Sequence, residues 1–297
     1  MPSPMLARKS LKDITEYNGT YPVYISPKLD GYRCRTYLTP LNDEVQAFSR
    51  TNKLIPNKYI QKVMKETGIT GLDGELTCGT TFKESAQVTK INPDVEPFDF
   101  VFNVFDIWSS QDNTKERFEE LELVIANIKN LFPKYAKHFN VVPHLICNNL
   151  EDLRDNYEVV KTEEGAMLNL SFTPYVEGKT HNVIKVKRYF QEEAKITGFK
   201  VEKYGENLKK VPEHLWGTEK QKCSGLIVKG LEGGSFAGRQ FNIGTGFDDA
   251  TKQKIYRNQD TLLNKVVTFK YVKSGTQEGG SPRHPVFLGF REEWDMD

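Results

Sequence analysis

Apolar residues in the first two thirds of the chain alternate in short bursts, with helical spacing appearing only between them. Tyr21 to Ile25, Arg33 to Tyr37 and Val45 to Phe48 read as strands, the last two joined through turn residues Thr39 to Asp43. Ser10 to Tyr17, ahead of them, looks helical. Pro56 to Thr67 puts Tyr59, Ile60, Val63 and Met64 on one helix face, with Gly68 as its stop. Gly71 to Leu76 and Phe98 to Trp108 return to strand, the second so aromatic that most of it must be core. Asn113 or Thr114 then caps a helix to about Phe132, with Phe118, Leu121, Val124, Ile125, Ile128 and Leu131 as its interior stripe. Val141 to Ile146 reads as a strand, and Asn149 opens a helix to about Lys161 that faces inward through Leu153, Tyr157 and Val160. Gly165 to Leu168 and Val183 to Lys187 are short strands either side of a polar loop, Ser171 to Asn182.

From Glu192 the pattern shifts to short β runs: Ala194 to Lys203, Ser224 to Lys229, Gln240 to Gly244, Lys265 to Val272 and Pro285 to Arg291, with a helix Asp248 to Asn258 among them. Five short strands and one helix at this size predict an OB-fold β-barrel. The chain is therefore expected to be α+β in residues 1–189, with antiparallel sheets and flanking helices, followed by the barrel in residues 190–297.

Composition adds a few limits. The 297 residues, 38% apolar and 11% aromatic, suffice for two packed cores, and no apolar run has the length of a membrane span or the form of a leader. Cys34, Cys78, Cys147 and Cys223 lie far apart without a Cys-x-x-Cys, which disfavours a zinc site or disulfide framework and favours a reducing, intracellular setting. Net charge is only +1, but residues 191–291 carry 17 Lys and Arg against 11 Asp and Glu. That excess suits contact with a phosphate backbone by the second half.

Candidate chemistry starts at Ser26-Pro27-Lys28-Leu29-Asp30-Gly31-Tyr32-Arg33. A lysine at a strand end, beside a carboxylate and a glycine turn and with an arginine close by, is a candidate covalent nucleophile. Asp30-Gly31 would equally serve an ordinary hairpin with solvated charges around it. In Asp73-Gly74-Glu75, acidic residues alternate on a strand, where burial is expensive unless a cation or hydroxyl meets them, so Glu75 is a ligand candidate. Arg50, on the turn Ser49 to Asn52, could bind phosphate bidentately. Phe105 could stack on a purine, and Glu164 precedes a glycine at a strand start. Lys185 and Lys187 share one strand face, a repulsion that a bound phosphate would relieve.

Lys28-Leu29-Asp30-Gly31-Tyr32-Arg33, Ser49-Arg50-Thr51, Asp73-Gly74-Glu75, Phe105-Asp106, Glu164-Gly165 and Lys185-Val186-Lys187 stand in the order found in covalent nucleotidyltransferases. Together with Val267-Thr268-Phe269-Lys270-Tyr271 and Arg283-His284-Pro285 near the C-terminus, the chain resembles the minimal, two-domain viral ATP-dependent DNA ligases along nearly its whole length. The resemblance implies a nucleotidyltransferase (adenylation) domain in residues 1–189, and Lys28 taking AMP from ATP. It implies Arg33 and Glu75 on the ribose, Phe105 on adenine, Lys185 and Lys187 on the phosphates, and Glu164 with Glu75 holding Mg2+ or Mn2+. Arg50 would serve both AMP and the 5'-phosphate of a nick, while Arg283, Arg291 and Asp295 would orient pyrophosphate in the first step. The implied partner is nicked duplex DNA, bound by a monomer with no obligate protein partner and no membrane, in host cytoplasm or nucleus if the source is viral.

Several residues depart from that pattern. Asn169 and Leu170 follow Glu164-Gly165 where a basic residue is usual, and the loop to Lys185 is short, departures that bear on Lys179, the candidate 5'-phosphate contact; Met296 follows Asp295 where another basic residue is usual. A polar insert at about 203–222, with Lys203, Lys209, Lys210, Lys220 and Lys222, occupies the place of a DNA latch, with a solvated loop as the alternative reading. RNA ligase, mRNA guanylyltransferase and a non-catalytic nucleic-acid clamp are the competing readings. NAD is disfavoured as cofactor because 27 residues precede Lys28.

Overall fold

Alternating stretches become strands and periodic ones helices, in a computed structural model that describes residues 3–40, 43–79, 82–90, 98–205, 212–272 and 280–291. The chain divides into two compact units, residues 1–188 and 189–297. None of the described helices is long and apolar enough to cross a membrane.

The first unit contains two five-stranded sheets. One has the order β1 (Met5–Leu11), β10 (Gly178–Lys187), β9 (Gly165–Leu170), β2 (Val23–Pro27), β8 (Leu145–Cys147). The other has the order β4 (Glu44–Ser49), β3 (Tyr32–Thr39), β5 (Leu72–Thr77), β6 (Val101–Ile107), β7 (Phe139–Val141). Pairing is antiparallel except at two edges, where β1 runs parallel to β10 and β7 to β6. Helices α1 (Lys58–Thr67) and α3 (Thr114–Leu131) cover the second sheet, burying Ile60, Val63, Leu121, Ile125 and Ile128 against Leu72, Phe100 and Phe102. A one-turn helix, α2 (Phe82–Ser85), lies between β5 and β6. Helix α4 (Leu150–Val160) closes the first sheet, joining Leu153 and Val160 to Ile25, Leu168 and Val186.

Helix ends follow local chemistry. Asn57, Asn113 and Asn149 each accept a backbone N–H from the first turn of α1, α3 and α4, and Gly68 ends α1 in the left-handed region at φ 65°.

Four sequence expectations need correction. Ser10 and Leu11 belong to β1, because Leu11 is drawn beside Val186 into the core; only Ile14–Glu16 forms a helical turn, capped by Asp13. Val141 to Ile146 is two strands in different sheets, since Pro143 interrupts the ladder between β7 and β8. The polar loop ends at Gly178, where pairing with β1 extends β10 and puts Lys179 opposite Leu6. Leu131 leaves the α3 stripe and is 72% exposed, just before Pro133 turns the chain.

The second unit is one antiparallel sheet in the order β13 (Gln240–Ile243), β12 (Glu219–Gly230), β11 (Phe190–Lys203), β14 (Val266–Val272), β15 (Arg283–Phe290). Its outer strands are drawn together by a parallel bridge, Thr245 with Val286, and by Phe287 N–H donating to Thr245 O at 2.8 Å. Helix α5 (Asp249–Arg257), followed by the short α6 (Gln259–Leu262), fills the connection from β13 to β14 and buries Ile255 with Phe236, Phe241 and Phe269. Connectivity and core are those of an OB fold. Strands β11 and β12 run on past the sheet as a long hairpin that includes both described ends of the polar insert.

Candidate active site

Strand β2 delivers Lys28 to a turn that two backbone bonds define. Its N–H donates to Gly165 O at 3.2 Å, and its carbonyl accepts from Thr162 Oγ1 at 2.6 Å. The same turn carries Glu164, whose Oε2 lies 2.5 Å from Lys28 Nζ, both side chains largely buried. Gly165 has φ 108°, and a Cβ there would come within 1.9 Å of Val186 O, so only glycine lets β9 start this close to β10. Gly31 is held by a similar approach, since a Cβ would meet Leu76 O at 2.3 Å.

The second sheet supplies a buried charged network. Arg33 on β3 donates from Nε and Nη2 to the two oxygens of Asp73 on β5, each at 2.5 Å, and from Nη2 to Met5 O at 3.2 Å. Asp73 is fully buried and also accepts from Tyr175 Oη at 2.5 Å; that hydroxyl in turn accepts the Met5 N–H at 2.9 Å. Burial opposes the Arg33 charge, but Asp73 outweighs it and raises the guanidinium pKa; burial beside Asp73 likewise raises the Tyr175 phenol. The guanidinium lies 4.5 Å from the Phe105 ring centroid. Arg33 is therefore committed to Asp73 and packed on Phe105, with Nη1 as its remaining donor group.

Glu75 stands opposite Arg33 in the β3–β5 register. Burial pushes its carboxyl up to about 7, against the pull of Arg33 and Lys28. With Glu164 it offers hard carboxylate oxygens close to the lysine. Among the described residues no three His, Cys, Asp or Glu side chains gather into a metal site. One or two carboxylates completed by substrate phosphates suit Mg2+, so the donor set fits that ion.

Cations face the same place from β10 and from the β4 turn. Lys185 and Lys187 lie opposite Met167 and Gly165 on β9, beside the Glu164 turn. The Lys185 ammonium is held below the usual lysine range by burial and then by the charges of Lys187, Arg50, Lys28 and Lys179. Five cationic side chains thus share one neighbourhood. Arg50 rides on a turn in which Asn52, at φ 59°, donates its N–H to Ser49 O at 2.9 Å and accepts from the fully buried Arg35 at 2.5 Å.

The sequence-predicted residues of the second unit are spread out. Arg283 opens β15 opposite Val272, and Arg291, just after it, reaches Glu193 Oε1 at 2.6 Å. Lys203 ends β11 and is exposed; Lys220 pairs with Glu202 at 2.8 Å and Lys222 with Asp249 at 2.6 Å. Lys209, Lys210 and Asp295 lie outside the described residues.

Sequence reasoning passed over Asp73, Tyr175, Arg35 and Asn52 as partners of site residues. The acidic alternation at Asp73 and Glu75 was a signal for the first. Tyr175, 102 residues from Asp73, had none.

Comparison with known proteins agrees with this arrangement. The family model described as ATP dependent DNA ligase domain matches residues 4–187, and that described as DNA ligase OB-like domain matches residues 217–291. The solved Chlorella virus DNA ligase-adenylate is 23% identical with a TM-score of 0.54, over 98% of this chain and 99% of that one. A Lig E DNA ligase structure is 24% identical with a TM-score of 0.69, over 98% and 100%. The structure Pmar-Lig_PreS3 is 20% identical with a TM-score of 0.71, over 97% of this chain and 67% of that one. No curated protein sequence matches the chain. At such identities the structural likeness speaks for fold, but a family model spanning more than half of the residues decides membership: the chain belongs to the ATP-dependent DNA ligase family.

Proposed function

We propose that Lys28 carries the adenylyl group in this ligase, and that the enzyme seals 5'-phosphate, 3'-hydroxyl nicks in duplex DNA as a monomer. The observation that supports the assignment is Glu164 at 2.5 Å from Lys28, with Glu75 and Lys185 in its neighbourhood and Arg50, Lys179 and Lys187 gathered about Lys185. Lys28 Nζ, its proton lost to solvent, attacks the α-phosphorus of ATP; the P–N bond forms as the bond to pyrophosphate breaks. Lys185 and Lys187 hold the equatorial oxygens, which is most of what phosphoryl transfer asks of a protein. Phe105, backed by Arg33, stacks on adenine, and Arg33 Nη1 and Glu75 meet the ribose hydroxyls.

Glu164 and Glu75 are the residues that would hold Mg2+ or Mn2+, which when bound neutralises phosphate charge. Arg283, Arg291 and Asp295 of the second unit serve the pyrophosphate in the first step only. Arg50 and Lys179 then hold the 5'-phosphate of the nick while AMP passes to it. The neighbouring 3'-hydroxyl attacks that phosphate, AMP departs and the strands are joined.

Incubation of the full chain with α-labelled ATP and magnesium tests the assignment. Label should remain on the denatured protein at Lys28, and Lys28→Ala should carry none while retaining the parent's fold. Label from GTP instead, or full labelling of Lys28→Ala, would refute it.

A further inference from the structure

The turn that holds Lys28 against Glu164 is tied together by a side chain given no part in the chemistry above. Thr162 follows Lys161, the cap of α4, and Gly165 opens β9. The two exchange both backbone bonds, Thr162 N–H to Gly165 O at 3.0 Å and Gly165 N–H to Thr162 O at 3.1 Å, so Glu163 and Glu164 form the tip of a tight loop. Pro27 is the last β2 residue in register with β9, and the Lys28 carbonyl beyond it needs a donor from elsewhere. The Thr162 hydroxyl supplies that donor at 2.6 Å, from 134 residues away in the sequence. The same oxygen accepts the Glu164 N–H at 3.2 Å.

These contacts close a ring. It runs from the Lys28 carbonyl through the Thr162 hydroxyl to the Glu164 N–H, along the glutamate side chain to its carboxylate, and back to the Lys28 ammonium at 2.5 Å. A hydroxyl has one proton to give, and Gly165 O, at 3.2 Å, is the more distant of its two acceptors. Nucleophile and carboxylate are thus referred to a single oxygen atom. Without that oxygen the Lys28 main chain is left with the longer bond from its N–H to Gly165 O at 3.2 Å, and any swing of the backbone is amplified at the end of a four-carbon side chain. The branch at Cβ restricts χ1 of threonine, which helps to keep the hydroxyl aimed at its partners.

We propose that Thr162 is a positioning residue for adenylyl transfer: its hydroxyl fixes the main chain of Lys28, and through Glu164 the amine end, so that the nitrogen meets the α-phosphorus in line. This rests on the reading of Lys28 as the nucleophile. Reacting atoms held about 3–3.5 Å apart in the right orientation react far faster than loosely placed ones, and a misplacement of about 1 Å costs on the order of a hundredfold.

The test measures two reactions of the full chain. One is self-adenylation with α-labelled ATP and magnesium, followed against ATP concentration; the other is sealing of a nicked duplex that already carries AMP on its 5'-phosphate, a step in which Lys28 attacks nothing. Thr162→Val keeps the shape and removes the hydroxyl. Its maximal rate of self-adenylation should fall roughly ten- to hundredfold, with KM for ATP and the sealing of the adenylated nick each within about threefold of the parent. Thr162→Ser, which restores the hydroxyl, should recover the rate to within about threefold, and Thr162→Cys, whose thiol is a weak donor, should fall between the two. If Thr162→Val does not fold, the order of Ser above Cys, each rate taken relative to sealing of the adenylated nick, decides by itself. Parental self-adenylation without the hydroxyl, an equal loss in both reactions, or a Ser variant no faster than Cys would overturn the assignment and leave the ligase reading standing. A raised KM at an unchanged maximal rate would also overturn it, by placing Thr162 in ATP binding. A parent that takes no label at Lys28 would sink both readings.

Discussion

Replacing Tyr175 with phenylalanine should weaken the first unit and the grip on ATP while leaving the bond-making step nearly intact. The ring stays, including its packing 5.9 Å from the Arg117 guanidinium, so the change is confined to one hydroxyl. That hydroxyl donates to Asp73, fully buried, at 2.5 Å, and accepts the Met5 N–H at 2.9 Å. A hydrogen bond to a charged group contributes about 1.5–3 kcal/mol, and the buried Met5 N–H left without its acceptor adds about 1 kcal/mol. The expected loss is therefore about 2.5–4 kcal/mol, read from exchange of the β3 and β5 amides under native conditions. Asp73→Asn should cost more, about 3–5 kcal/mol, because it strands the Arg33 guanidinium in the interior. Since Arg33 lies on Phe105, loosening Asp73 should raise KM for ATP in self-adenylation several-fold, with the maximal rate within about a factor of three, a spread under 1 kcal/mol in barrier. A stability change under about 0.5 kcal/mol, or a fall in maximal rate at unchanged KM, would refute the reasoning, since it would mean that the network neither bears load nor shapes the base platform.

Two further outcomes follow from the same geometry. Asn52→Gly keeps the left-handed backbone that the Arg50 turn needs but removes the acceptor of Arg35, so nick sealing should fall several-fold more than self-adenylation; Asn52→Asp, which retains an acceptor, should restore it, and equal sealing by all three proteins would exclude the tether. Glu75 has a folded pKa near 7 against 4.5 when unfolded, so the folded state binds the extra proton between those values and its stability falls as pH rises through that window. Glu75→Gln should remove that loss, gaining up to about 3 kcal/mol on the parent between pH 4.5 and 8 in metal-free buffer; denaturation curves whose difference does not change with pH would count against a protonated Glu75.

Much of the site was open to reading because its residues sit where strands end or turn. Lys28 at the close of β2 and Glu164 just before β9 each stand near a glycine turn, Arg50 follows β4 on a polar turn, and the Lys185/Lys187 pair follows from alternation along β10. The five strands of the second unit were legible for the same reason, since short alternating runs between turns are a local property. Ser10 to Tyr17 was misread because its apolar residues fit a helix about as well as a strand, and pairing with a β10 some 170 residues away decided between them. Lys179 moved from loop to strand on the same account.

Residue order and pattern by themselves determined the two halves, most strands and helices, and the set of candidate side chains proposed for adenylyl transfer. Tertiary structure alone decided which charges are spent on each other: Arg33 on Asp73, Lys220 on Glu202, Lys222 on Asp249, and Lys28 on Glu164. The physical reason is range: strand and helix patterns are set by neighbours a few residues apart, whereas an ion pair depends on a distance of a few ångströms between segments that meet only when the sheets assemble.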